Sequence, residues 1–348
     1  MDVLANIQLA PLTTFGIGGP ARWFVDAASE MEIVEAVDYA RERGLALLVL
    51  GGGSNLLVSD AGFDGLVLHV GLRGIDVEEG SVQTIYRTAA GESWEDCVER
   101  TIHDGCAGLE CLAGIPGTVG GTPVQNVGAY GQEVSSVIAR VRALDLTQQE
   151  FVEFSGVECG FAYRRSRFNS TDRGRFIVTR VDYRLTQGGA PALRYPDLQR
   201  AIQESVQEGA QPSLAEVAAA VRRVRRSKGM LLVEGDPDCR SAGSFFKNPV
   251  VTEDQVEQIA RAGAKQPPRF PAGRGQVKIP AAWLIEQAGF PKSYALGAAA
   301  ISSRHTLALI NRSGARADEI LTLADKINAA VEGRFGIRLE MEPVLVGF

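Results

Sequence analysis

Histidine is scarce. Only His69, His103 and His305 occur in 348 residues, and none has a neighbour at metal-ligand spacing. A histidine-based triad or metal centre is therefore not expected, and a bound organic cofactor is the better carrier of chemistry. Cysteine is sparse and unpaired. Cys97, Cys106, Cys111, Cys159 and Cys239 are an odd number with no CxxC pair, which excludes a disulfide framework and a zinc site and reads as reduced thiols of a cytosolic protein. No apolar run reaches the roughly 18–20 residues that span a bilayer, so no membrane partner is expected. The first residues lack a basic start and a sustained apolar core, so they do not read as a signal peptide, and a cytoplasmic location is expected. Positive charge is not in excess either. The net charge of −6 and pI near 5.4 argue against nucleic acid as the main partner.

What is present is globular. Hydrophobic residues make up 45% and charged residues 22%, and the length suggests two or three domains. Early on, a short apolar run at 23–27 precedes Ser29, an N-cap for a helix through Ile33, Val34, Val37 and Ala40 that ends at Gly44. Residues 45–50 read as a buried strand that stops at Gly51–Asn55 and completes a βαβ unit with a glycine loop at the carboxyl end of its second strand, and 65–70 reads as a further strand. Residues 94–104 read as a helix closed by Gly105, 114–131 as a long glycine loop, and 138–146 and 177–185 as strands. A helix over 213–227 carries a Ser213/Glu216 capping box. Composition shifts at 228–240, taken as the entry to another domain. There a capping box of Thr252 and Gln255 opens a helix to 262, a Pro/Gly/basic loop follows, and a short helix starts after Pro280. A last helix ends before Gly333, and 337–346 reads as a strand.

Several segments could carry chemistry. Gly16, Gly18 and Ala21 match a GxGxxA fingerprint, but a strand-like run follows where a helix is needed, so a simple turn is an equal reading. Gly51-Gly52-Gly53-Ser54-Asn55 after a strand offers backbone N–H groups and two polar side chains to a pyrophosphate; a tight structural turn is the alternative. The 114–131 loop is long enough to wrap a planar ligand. Arg164, Arg165 and Arg167 cluster with aromatics, either as a solvated basic loop or with one arginine held against a carboxylate or phosphate. Ser244 lies between a glycine and two phenylalanines with no histidine nearby, which suits proton donation better than acyl transfer. Glu340 and Glu342 point the same way if 339–343 is a strand, a paired surface carboxylate being the plain reading. The basic face Arg222, Arg223, Arg225, Arg226 and Lys228 reads as compensation of a helix dipole, or, at Lys228, as a phosphate contact.

Taken together and in order, TTFGIGGPA, LGGGSNLL, GLECLAGIPGTVGGTPVQNVGAYG, FAYRRSRF, GSFFKNP and the LExE ending resemble the MurB family of flavin-dependent reductases over nearly the whole chain. The resemblance implies an α+β fold: a two-subdomain FAD-binding part of the vanillyl-alcohol oxidase/PCMH type and a C-terminal α+β substrate-binding domain. The implied division is 1–71 completed by 340–348, then 72–227, then 228–339 for the substrate. It implies non-covalent FAD, NADPH as hydride donor, and a UDP-linked enolpyruvyl amino sugar as substrate of a monomeric enzyme of peptidoglycan precursor synthesis. Catalytic positions carried over are Arg164, the proton donor Ser244 and Glu342. FAD would contact Gly51, Gly52, Gly53, Ser54, Asn55 and Leu56, together with Gly114, Pro116, Gly117, Gly120, Gly121, Asn126 and Gly128. Tyr130, Tyr195, Lys228, Lys247 and Asn248 would contact the substrate, with Tyr195-Pro-Asp-Leu198 matching the version that carries a tyrosine-bearing loop. The link from Lys228 to GSFFKNP is longer than in many members. An oxidase of the same flavin superfamily and a catalytically inactive nucleotide-sugar binder are the rival readings.

Overall fold

The computed structural model describes residues 1–204, 210–263, 265–273 and 275–348. The chain forms two compact units, each drawn from separate stretches.

The first unit comprises Met1–Ile7, Ala21–Gly52 and Asp64–Arg226. Its smaller sheet has the strand order Leu4–Gln8, Pro20–Ala27, Phe63–Val70, Ala46–Leu50. The helix Glu30–Glu42 turns Ile33, Ala36, Val37 and Ala40 inward, and Ser29 accepts from the Glu32 N–H as its cap. Two expectations change here. Strand Phe63–Val70 lies between the two strands expected to form the βαβ unit, because its run of buried residues suits a central strand. Ala46–Leu50 is consequently an edge strand, and only Leu50 of it is buried.

The larger sheet runs Glu150–Ser155, Ile138–Asp145, Phe176–Gln187, Gln83–Ala89, Ile75–Glu78, with Cys106–Ala107 also on Phe176–Gln187. Trp94, Tyr86 and Tyr183 fill its core, joined by Val217, Ala218, Ala220 and Val221 of helix Leu214–Ser227. The capping box forms as expected: the Ser213 N–H donates to Glu216 Oε2 and the Glu216 N–H to Ser213 Oγ. The long glycine loop is not wholly irregular. It holds a short turn of helix at Val119–Gly121 and the start of a two-stranded hairpin, Gly128–Ala129 with Gln132–Glu133.

The second unit comprises Gln8–Pro20, Gly53–Phe63 and Ser227–Phe348. Phe15, Ile17 and Leu57 are buried with Phe245, Phe246 and the inner face of helix Ala317–Phe335, which is why two early segments belong with the C-terminal half. Asp60 accepts from the Ala317 N–H at the start of that helix. The helix runs through Gly333 and ends at Gly336, whose φ is +67°, because Phe335 is buried against Trp283. The expected strand 337–346 shrinks to Val344–Val346, parallel to Leu56–Val58. The preceding residues make a single bridge, Met341 to Phe246, since Leu339 turns into the core and Asn328 takes its N–H and carbonyl. Part of the expected Pro/Gly/basic loop is a hairpin, Phe270–Gly273 with Gln276–Lys278, and Val250–Thr252 pairs alongside it.

Candidate active site

In the first unit the glycine motifs are brought together by close backbone approach. A Cβ on Gly52 would lie 2.6 Å from Gly117 Cα, and one on Gly51 would lie 2.7 Å from Thr118 Oγ1. Among the described residues the N–H of Gly52 meets no acceptor, nor do those of Gly53 and Ser54, which open a stretch of the second unit. Successive backbone N–H groups that converge make an anion-binding concavity. Gly114 is gripped at both ends of its peptide unit: its N–H donates to Glu95 and its carbonyl accepts from Arg225 Nε at 2.9 Å. Gly117 accepts from the Trp94 N–H, and Gly120 donates to the Ala90 carbonyl. Pro116 and Gly117 stay half-buried, while the N–H of Gly121 closes a turn on Thr118.

Three residues around this loop hold left-handed backbone without being glycine: Asn126 (φ +44°), Tyr130 (φ +51°) and Arg164 (φ +53°). Each costs roughly 1–2 kcal/mol, so the surroundings must enforce it. Asn126 does so by spending its whole amide on the protein. It donates to Glu133 and the Ala162 carbonyl and accepts from the Ser135 N–H. Asn169 donates to the Arg164 carbonyl, and Arg164 Nη2 donates to the Gly128 carbonyl at 2.9 Å.

In the sequence Arg225 reads as part of a basic helix face that compensates the helix dipole. It is instead buried, because it follows Val221 by four residues and shares its apolar face. Burial pulls its pKa down; the Tyr130 phenol and Glu95 oppose that, and Arg164 adds to it. The Tyr130 and Tyr195 rings meet edge to face at 5.7 Å. Tyr195 precedes helix Pro196–Gln203 and is 40% exposed, which leaves it open to a ligand.

In the second unit, Ser244 precedes Phe245 and Phe246, which are both buried, and is itself half-buried. The Glu342 N–H donates to the Phe245 carbonyl at 2.9 Å, and the Lys247 N–H donates to the Glu340 carbonyl at 2.9 Å. This short antiparallel register holds the serine segment and the LExE segment side by side. Glu340 faces outward and pairs with Lys247 Nζ at 2.5 Å. Asn248 Oδ1 accepts from the Ala281 N–H and so serves as a helix-start acceptor. Thr14 Oγ1 donates to the Ser241 carbonyl at 2.6 Å, and Asn311 donates to the Phe15 carbonyl. The Gly16/Gly18/Ala21 pattern is thus a packing element: a Cβ on Gly18 would lie 2.9 Å from Val58 Cβ.

His305 is a residue that sequence reasoning passed over. Its Nδ1 accepts from the Leu307 N–H at 3.0 Å. Burial first, then Lys228 and Lys292, push its pKa down to about 4, so the ring is neutral with its proton on Nε2. Arg225 could have been found from its place in the helical stripe; His305 had no such signal. Among the described residues no cluster of three or more metal-ligating side chains forms.

Two family models match the chain: an FAD binding domain over residues 21–154 and the C-terminal domain of UDP-N-acetylenolpyruvoylglucosamine reductase over residues 236–346. A UDP-N-acetylenolpyruvoylglucosamine reductase of Streptomyces coelicolor is 46% identical over 99% of this chain and 90% of its own length. One of Thermobifida fusca is 45% identical over 98% of this chain and 97% of its own. The crystal structure of UDP-N-acetylenolpyruvylglucosamine reductase (MurB) from Thermus caldophilus is similar at 26% identity. Its TM-score is 0.65, covering 99% of this chain and 98% of that one.

Proposed function

The chain belongs to the UDP-N-acetylenolpyruvoylglucosamine reductase (MurB) family, and from that premise we propose how its own residues divide the work. The protein is an FAD-dependent oxidoreductase of α+β fold that reduces UDP-N-acetylglucosamine enolpyruvate to UDP-N-acetylmuramate, with NADPH as reductant, in peptidoglycan precursor synthesis.

The glycine loops suit FAD. Free N–H groups at Gly52, Gly53 and Ser54 match a pyrophosphate. Gly51–Leu57 would hold the pyrophosphate, and the 114–128 loop the flavin. Bound FAD supplies hydride transfer from NADPH to the enolpyruvyl carbon.

Arg164 binds the substrate carboxylate and stabilises the charge that develops beside it, and Glu342 polarises the same group. Such contacts are typically worth about 10²–10³ in rate each. Ser244 gives its hydroxyl proton to the carbon next to that carboxylate. Tyr130, Tyr195, Lys228, Lys247 and Asn248 bind the nucleotide sugar. The observation that supports this reading is the concentration of left-handed backbone at Asn126, Tyr130 and Arg164, since strained backbone clusters at functional sites. The reading keeps the three-part division of 1–71 with 340–348, 72–227 and 228–339. It also takes the enzyme as a cytoplasmic monomer without nucleic-acid partners. No helix among the described residues is long and apolar enough to cross a membrane.

The test separates the half-reactions. Ser244→Ala should accept electrons from NADPH at the normal rate and then fail to be reoxidised anaerobically by the enolpyruvyl sugar. Near-normal reoxidation would remove Ser244 as proton donor. Reoxidation of the unmodified protein by air alone would favour an oxidase.

A further inference from the structure

Glu110 is 1% exposed and has no part in the proposed chemistry. Burying a carboxylate is costly unless donors surround it. Three do, from three separate stretches of the first unit. Glu110 Oε2 accepts from the Gly108 N–H at 2.8 Å. Glu110 Oε1 accepts from Gln132 Nε2 at 3.1 Å and from the Ala192 N–H at 2.9 Å. Gln132 is buried as well, and its Oε1 accepts from the Cys111 N–H at 2.9 Å. Cys111 Sγ in turn donates to the Ala192 carbonyl at 3.0 Å.

These bonds reach two places that matter for the nucleotide sugar. Gln132 closes the hairpin whose turn carries Tyr130, and Ala192 leads into Tyr195. The two rings meet at 5.7 Å and 86°. We propose that Glu110 is a positioning residue: with Gln132 it ties the segment entering Tyr195 to the Tyr130 turn, and so sets the affinity for the UDP-linked substrate. This rests on the reading of Tyr195 as a substrate contact.

The flavin loop has its own supports. Trp94 Nε1 donates to the Leu112 carbonyl at 3.1 Å, and Arg225 Nε to the Gly114 carbonyl at 2.9 Å. Loosening Glu110 therefore leaves FAD binding and flavin reduction in place. A Glu110→Gln amide has one acceptor oxygen where the carboxylate has two, so its NH₂ must face a backbone N–H or the Gln132 amide.

The experiment is a double-mutant cycle in the holoenzyme, with UDP-N-acetylglucosamine enolpyruvate as substrate. Glu110→Gln should raise its KM about tenfold, with FAD content and the rate of flavin reduction by NADPH within about twofold of the parent. In a Tyr195→Ala background the same change should add less than about twofold, because both act through one contact. Additive effects on KM, or a Glu110→Gln enzyme with parental KM while Tyr195→Ala raises it, would overturn the inference alone. A Tyr195→Ala enzyme with parental KM would sink the substrate-contact reading and the inference with it. If Glu110→Gln does not fold, the Glu110→Gln/Gln132→Glu pair keeps the Gly108 and Cys111 bonds and gives up only that of Ala192. It should show the same rise in KM, and a parental KM there counts against the proposal.

Discussion

Asn55, at the exit of the glycine loop, and Glu342, near the C-terminus, are joined through the main chain: Asn55 Nδ2 donates to the Glu342 carbonyl at 3.1 Å. The Val344 N–H returns a bond to the Asn55 carbonyl at 2.9 Å. Asn55→Ala removes the first bond and leaves the second. We expect a stability loss of about 1 kcal/mol, typical of one hydrogen bond. Reoxidation by the sugar should also slow more than reduction by NADPH. Stopped-flow measurement of both half-reactions checks this; equal slowing would mean that Asn55 acts on FAD and not through Glu342.

Arg164 is held by its Gly128 contact and by a backbone that few residues accept. Lysine keeps the charge but loses the planar fork that matches a carboxylate. Arg164→Lys should lower kcat with the sugar by about 10²–10³ and spare flavin reduction. An enzyme of parental kcat would exclude Arg164 from charge stabilisation.

Gly53 has φ +59° and no room: a Cβ there would lie 1.8 Å from the Leu12 carbonyl oxygen. Gly44 has φ +61° and nothing within 4 Å. Gly44→Ala should therefore cost only the left-handed penalty of about 1–2 kcal/mol. Gly53→Ala should cost far more and purify with little flavin. The ratio of flavin to protein absorbance, with a thermal melt, separates the two; comparable behaviour would deny the close approach.

His305 takes up no proton in the folded protein until pH falls to about 4, whereas unfolded its pKa is near 6.5. The unfolded state therefore binds more protons between those values. Stability present above about pH 6.5 is lost as pH falls towards 4, by up to about 3 kcal/mol. His305→Gln should melt with a smaller drop between pH 7 and pH 5 than the parent. Identical drops would show that the ring is accessible to protons.

Local signals were readable where local physics decides. Ser29, Ser213/Glu216 and Thr252/Gln255 cap the helices as their spacing implies, because a cap is satisfied within one turn. The candidate residues Arg164, Ser244 and Glu342 were visible in ordered motifs. Three features were not. The edge position of Ala46–Leu50 depends on which strand takes the centre of the sheet. The shortening of 337–346 to Val344–Val346 depends on Asn328, on a distant helix, capturing Leu339. The burial of Arg225 and Glu110 depends on partners far along the chain, Gly114 for one and Ala192 for the other. A sequence states which groups are polar and how they are spaced. Whether a charged group ends in water or in the core is decided by the donors and acceptors that folding brings to it, since a buried charge persists only where those partners converge.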